Sequence, residues 1–285
     1  MNVSLHYVGA NGNVVDLFNN EYFDFPYIDG LTEASNEISS STASNMDGDK
    51  VNNVRTLPRG IVIDLPVKNS VAVEDAKRFI LRTVKPKQKG RLILNQNGRE
   101  TEISGVVEAI SMPRFVEDGV KMQITLHCSS PYWQDTENVL LEISRIIDLH
   151  YFPIDQGGLA LPSEGIPFGE YDMNMTRTYT NDGDAECGLV VTIIALADVL
   201  NPVIYKSDGS FIGVNDSMVK GDQIVINTNR GEKSITKNGV NILNKIKPGS
   251  TFFSLETGDN ELTVDTDGDT EGNVYFIVSF KRRFV

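Results

Sequence analysis

The chain has 285 residues, of which 40% are hydrophobic and 23% charged, and a formal net charge of −13. That length is generous for one core and suits two domains of about 140 residues each. The apolar content excludes a disordered chain, and the acidity excludes nucleic-acid binding by bulk electrostatics, which needs positive charge against phosphate.

No apolar run approaches the roughly 18 residues of a membrane span. The opening Met1-Asn2-Val3-Ser4-Leu5-His6-Tyr7 has neither the basic nor the apolar region of a signal peptide. The two cysteines, Cys128 and Cys187, stand far apart. A disulfide framework would show more, so both are expected reduced and buried.

In chain order, residues 3–8 and 14–18 read as a hairpin, with Asn11-Gly12 supplying the positive φ angles of its turn. Residues 22–28 alternate aromatic and polar side chains, and Pro26 marks an edge or a strand end. Residues 39–45 are small, polar and unpatterned, which predicts a mobile loop. An acidic turn, Asp47-Gly48-Asp49, then leads into a short strand. A Leu57-Pro58-Arg59 step follows, and after it an apolar strand over residues 61–67.

The one convincing helix is expected over about residues 71–84. Val73, Ala76, Ile80 and Val84 fall near one face, with Phe79 beside them. Ser70 is the expected N-cap, Glu74 and Asp75 suit the first turns, Lys85 suits the last, and Pro86 stops the helix. Strands are expected over residues 91–96, 100–113 and 120–128. The broken alternation of Ile103, Val106, Ala109 and Ile110 predicts a bulge in the second. Residues 137–147 fit a short helix or an extended connector equally well.

Gly157, Gly158, Pro162, Gly165 and Pro167 make a composition break. Beyond it turn signals recur about every ten residues, as in an antiparallel sandwich. Residues 188–195 and 275–280 are the most apolar and are expected as central strands, with Ile224, Ile226, Phe252 and Phe253 as further core.

Chemistry is sought without result. His6, His127 and His150 have no second histidine at metal spacing. His127 and Cys128 are neighbours in a strand, so they point to opposite faces and cannot act as base and nucleophile together. In Asp265-Thr266-Asp267-Gly268-Asp269-Thr270-Glu271 the carboxylates alternate as calcium ligands do. Thr270 and Phe276, however, occupy the places where an EF-hand needs Gly and Glu. A charged hairpin tip and a calcium loop of another kind both remain open there. The basic run Lys77, Arg78, Arg82, Lys85, Lys87, Lys89 and Arg91 fits a solvated helix face or a protein interface. Only Phe79 interleaves it, too few aromatics for a single-strand stacking platform. No enzyme, cofactor or metal is expected.

The order of these features resembles the distal tail protein family of long-tailed, siphovirus-type phages. The resemblance is carried by the opening hairpin, Asp47-Gly48-Asp49, Leu57-Pro58-Arg59, the single helix with its Lys85-Pro86-x-x-x-Gly90 exit, and Cys128-x-x-Pro131-Tyr132-Trp133. It continues through Asn181-Asp182-Gly183-Asp184, Asn201-Pro202, Gly221-Asp222, Asn238-Gly239, Gly258-Asp259-Asn260 and Phe280-Lys281-Arg282-Arg283-Phe284.

The resemblance implies a mainly β protein. Residues 1–135 would be a ring-forming, split-barrel-like β-domain with one packed helix. Residues 136–155 would connect it to a galectin-like antiparallel β-sandwich over residues 156–285. It implies a homo-hexamer in the virion tail, made in the host cytoplasm. That hexamer would join the tail-tube protein to a tail-associated tip, lysin or fibre protein and a receptor-binding protein. DNA would pass through its lumen without specific binding, and no membrane would be entered. Asp47, Asp49, Leu57, Pro58, Arg59, Arg78 and Arg82 are then expected to serve assembly, at a subunit contact or the edge of the pore. The alternative is a carbohydrate-binding protein that recognises host glycans through the sandwich.

Overall fold

The computed structural model describes all residues except 1–2, 33, 43–46, 117–118, 144, 149–168, 173–174 and 269–272. His150, the Gly157 to Pro167 composition break and the end of the Asp265 to Glu271 run lie outside the described residues. The chain separates into two units, residues 1–136 with 283–285, and residues 137–282.

The described part of the first unit is one main antiparallel sheet, a separate two-stranded ribbon and one helix. We label its strands β1 (Val3–Gly9), β2 (Val14–Asp16), β3 (Tyr27–Asp29), β4 (Asn36–Ser41), β5 (Lys50–Thr56), β6 (Arg59–Pro66), β7 (Lys89–Gln96), β8 (Arg99–Val116), β9 (Gly119–Cys128) and β10 (Trp133–Asp135), with helix α1 at Val73–Thr83. The sheet runs β2-β1-β7-β8-β9-β6-β3, and β10 pairs with both β8 and the terminal strand Arg283–Phe284. β4 and β5 stand outside it as a separate two-stranded ribbon.

Alternation sets which face is buried. In β6, Ile61, Ile63 and Leu65 are fully buried while Val62 and Asp64 are not, as the two-residue period of a strand requires. Leu5, Tyr7, Leu92, Ile103, Met122, Ile124 and Leu126 join them in one cluster with Ala76, Ile80 and Val84 of the helix region. Burying an aliphatic side chain of this size contributes about 1.5–3 kcal/mol. The bulge expected in the long strand is present: pairing between β8 and β9 shifts between Val107 and Ala109, and again between Ser111 and Arg114.

Four local expectations are corrected. The helix N-cap is Ala72, not Ser70: the Ala72 carbonyl accepts from Asp75 and Ala76, and no side chain caps the end. Residue 84 is already extended, so Lys85 lies past the last turn and Arg82 is the cation there. In the first hairpin only Gly12 takes a positive φ; Asn11 instead accepts a hydrogen bond from the Asn13 N–H at 3.1 Å. Of the polar stretch 39–45 expected to be a mobile loop, residues 39–41 form the second half of β4 and pair with β5, and residues 43–45 lie outside the described residues. The strand's register rests on backbone hydrogen bonds with no buried face, so no apolar alternation marks it.

The described part of the second unit is a sandwich of two antiparallel sheets, with a separate pair of strands, Arg145–Asp148 and Gly169–Asp172. One sheet orders Val139–Glu142, Val274–Phe280, Leu189–Ala195, Gln223–Asn227, Ser234–Lys237 and Val240–Asn241. The other orders Thr176–Asn181, Gly258–Asp267, Val199–Lys206 and Phe211–Gly213, with Ser217–Met218 also on Val199–Lys206. Both contribute to one core: Leu189, Val191, Ile193, Ile224, Ile226, Phe276 and Val278 from the first, and Tyr179, Ile204, Ile212, Leu262 and Val264 from the second. The two most apolar segments are interior neighbours in the first sheet, as expected. Residues 139–142, which fitted helix or connector, are extended and pair with Val274–Phe280. Phe253 is buried and Phe252 packs against the core, but neither lies in a strand.

Candidate assembly surface

The residues singled out in the sequence fall into three places in the first unit. Asp47 and Asp49 lie at the tip of the β4–β5 ribbon, where Gly48 takes φ +83°. Asp49 accepts from Thr42 Oγ1 at 2.7 Å and from Ser40 Oγ at 3.1 Å. Those two hydroxyls hold its carboxyl below the ordinary carboxylate value. Every residue of β4 is exposed, and so is every residue of β5 but the last.

Leu57, Pro58 and Arg59 form the ribbon's base. The Leu57 N–H donates to the Ser35 carbonyl at 2.8 Å, and Thr56 Oγ1 lies 3.4 Å from Tyr132 Oη. Pro58 is exposed and Leu57 half-buried. Arg59, expected to serve assembly, lies in the interior of the unit, with only 3% of it exposed. Its guanidinium donates to the carbonyls of Gly30, at 3.3 Å, and Leu31, and Trp133 Nε1 donates to the same Leu31 carbonyl at 2.9 Å.

Gly30 has φ +82°, and a Cβ there would stand 2.1 Å from the Gly60 carbonyl oxygen. Only glycine allows the backbone so close. Arg59 therefore clasps the 30–31 segment against β6 and Trp133, which fixes the ribbon's root. Across the ladder Arg59 pairs with Cys128. Burial pushes that thiol up to about 11, with the Arg59 charge pulling the other way, and burial also lowers the Arg59 value. Cys128 is thus an inert, protonated core thiol, while its neighbour His127 is exposed on the opposite face.

Arg78 and Arg82 stand one turn apart on α1. Both are exposed, and neither has an ion-pair partner among the described residues. They rim a cleft of about 340 Å³ whose other walls are Tyr22, Ser70, Val71, Ala72, Asp75 and Phe79. Phe79 stacks on Tyr22 with centroids 4.3 Å apart and planes at 17°. Elsewhere in the basic run Arg91 is paired, to Glu102 at 2.9 Å. The structure thus joins Arg78 to Arg82 and Asp47 to Asp49, and it sets Arg59 apart from both pairs.

Other exposed apolar groups went unnoticed in the sequence. Val14 on edge strand β2, Tyr27 on edge strand β3 and the neighbouring Phe25 are 59%, 71% and 71% exposed. So are Ile38, Val51 and Val54 on the ribbon, each by more than half. A sheet edge that ends in exposed apolar side chains is a pairing surface. The signal lay in Phe25-Pro26-Tyr27, apolar residues around the proline that marks an edge.

The described part of the second unit carries several salt links. Lys206 lies 3.0 Å from Asp208 and 3.1 Å from Glu256, and Lys237 lies 3.0 Å from Asp222. Among its described residues every aromatic side chain is buried or half-buried, so none offers an open stacking face. No group of three or more acidic, histidine or cysteine side chains poised for a metal occurs among the described residues.

Comparison with known families matches residues 182–284 to the siphovirus-type tail component, C-terminal domain. Among solved structures the chain is similar to SPP1 Dit (gp 19.1), described as a paradigm of the hub adsorption apparatus in phages infecting Gram-positive bacteria. The TM-score is 0.70 at 13% identity, over 100% of both chains. It is also similar to a chain of the phage P2 baseplate in its activated conformation with Ca, at TM-score 0.51 and 14% identity, again over 100% of both chains. Comparison with curated protein sequences gives no match.

Proposed function

We propose, from the match of residues 182–284 to the C-terminal domain of siphovirus-type tail components, that the protein is the distal adaptor of a phage tail. Its place is the virion tail and its role is structural. In this reading six copies close a ring that joins the tail-tube protein on one side to a tail-associated tip, lysin or fibre protein and a receptor-binding protein on the other. The first unit, residues 1–136 with 283–285, would form the ring, and the second, residues 137–282, would carry the sandwich.

One observation carries the reading: the likeness to SPP1 Dit runs through the whole chain, both units included, rather than through the sandwich alone. Two further features support it. The first unit leaves both outer strands of its sheet, β2 and β3, with a free edge and exposed apolar side chains, the kind of surface a neighbouring copy covers in a closed ring. The net charge of −13 suits a passage that duplex DNA crosses without sticking. In keeping with a structural role, Cys128 is protonated and buried and His127 faces away from it. The glycan-binding alternative draws no support from the described part of the sandwich, which lacks an exposed aromatic platform.

Mass photometry of the purified full chain over a concentration series tests the proposal. A species of six chain masses is expected. A monomer at every concentration, with and without the tail-tube protein, would overturn it.

A further inference from the structure

The β4–β5 ribbon presents a problem that a lone copy cannot solve. An isolated two-stranded ribbon is marginal in water, yet this one packs neither face: all of β4 and nearly all of β5 are exposed. Its two faces nevertheless differ. Ile38 pairs directly with Val54, and Ser39 with Asn53, but Ser40 pairs with Val51. Asn52 is therefore an extra residue in β5, a bulge. In a regular strand that kept Asn52 in the ladder, Val51 and Val54, three residues apart, would point to opposite faces. With the bulge Ile38, Val51 and Val54 share one face, while the Glu37–Arg55 ion pair, 2.5 Å apart, occupies the other. The bulge thus builds an apolar stripe on an arm about 20 Å long, and at the arm's tip stand Asp47 and Asp49.

The cleft on α1 is the complement of this arm. Its walls combine the half-buried Phe79–Tyr22 stack and Val71 with the polar Ser70, Arg78 and Arg82, the surface it presents is mostly polar, and Asp75 is the one acid among its walls. Both arginines are exposed and without an ionic partner among the described residues. We propose that the β4–β5 arm of one copy lies in the α1 cleft of the next, with its Ile38–Val51–Val54 stripe on Phe79 and Tyr22 and its acidic tip against Arg78 and Arg82. The occupant is a second copy of this chain because the same surface unit carries both halves of the match, acidic arm and basic cleft. Arm and cleft are different surfaces, so the contact is head-to-tail, the kind that generates closed rings. The inference rests on the ring reading above and says which side chains make the ring.

Charge reversal tests it on the full chain. Arg78→Glu with Arg82→Glu makes one variant, and Asp47→Lys with Asp49→Lys makes the other. Each alone should lose at least tenfold in assembly midpoint by mass photometry. Mixed in equal amounts they should reassemble, because each arm then finds its complement on the other variant, and all four changes on one chain should reassemble too. Ile38→Ser with Val54→Ser, which leaves the backbone ladder intact, should weaken assembly independently of charge. Circular dichroism and urea midpoints confirm that each variant is folded. If wild type forms rings and all the variants assemble as it does, the docking inference falls and the ring reading stands. If either charge variant fails to recover on mixing, the head-to-tail pairing is wrong. A monomeric wild type overturns both.

Discussion

Arg59, expected to serve assembly, acts within its own unit as a clasp. A guanidinium 3% exposed that reaches two backbone carbonyls holds the chain where Gly30 passes Gly60. The tightest test of that packing is Gly30→Ala. The left-handed backbone alone should cost about 1–3 kcal/mol for a residue with a Cβ, and the clash with the Gly60 oxygen adds to it. Urea unfolding should show a lower midpoint for the first unit.

Cys128 gives a pH signature. Its thiol rises from an ordinary 9.0 to about 11, so the folded state holds its proton more tightly than the unfolded chain does. That stabilisation is complete below about pH 9 and is lost as pH climbs from 9 to 11. At about 1.4 kcal/mol per pH unit the loss approaches roughly 3 kcal/mol. Burial raises Tyr179 as well, so the test is a difference: denaturation midpoints of wild type and Cys128→Ala should diverge less at pH 11 than at pH 8.

At the scale of elements, the ribbon shows what patterning does and does not reveal. The helix, the sandwich strands and the bulge in the long strand were legible because each buries an alternating or helical apolar stripe: Ala76 and Ile80 in α1, and Leu189, Val191 and Ile193 in the sandwich. β4 was not, because Asn36–Ser41 buries nothing and its pairing is carried by backbone hydrogen bonds that side chains do not advertise. The candidate site divides in the same way. Arg78 and Arg82 were found from helical spacing and charge. The apolar stripe was missed because a one-residue bulge at Asn52 realigns Val51, and a bulge without buried neighbours leaves no mark in the pattern. Deleting Asn52 is therefore informative. Val51 would then stand two residues from Val54 and keep its face by plain alternation, so assembly should stay near wild type, whereas Val51→Ser should weaken assembly while the far-ultraviolet spectrum and the urea midpoint stay near wild type.

On the scale of the whole molecule, the chain passes between its two units twice. Residues 283–285 return to the first unit, where Phe284 pairs with Trp133 and lies under the Arg99 guanidinium at 3.7 Å. Removing the last three residues should therefore destabilise the first unit. Chemical unfolding followed by the fluorescence of Trp133, the chain's single tryptophan, should report it as a lower midpoint. The central claim concerns neither unit alone but the ring they are proposed to build. Single-particle electron microscopy of the purified full chain measures that directly. Class averages with six-fold symmetry, peripheral lobes and an open lumen wide enough for duplex DNA are the predicted result, and fields of single-chain particles at every concentration would contradict it.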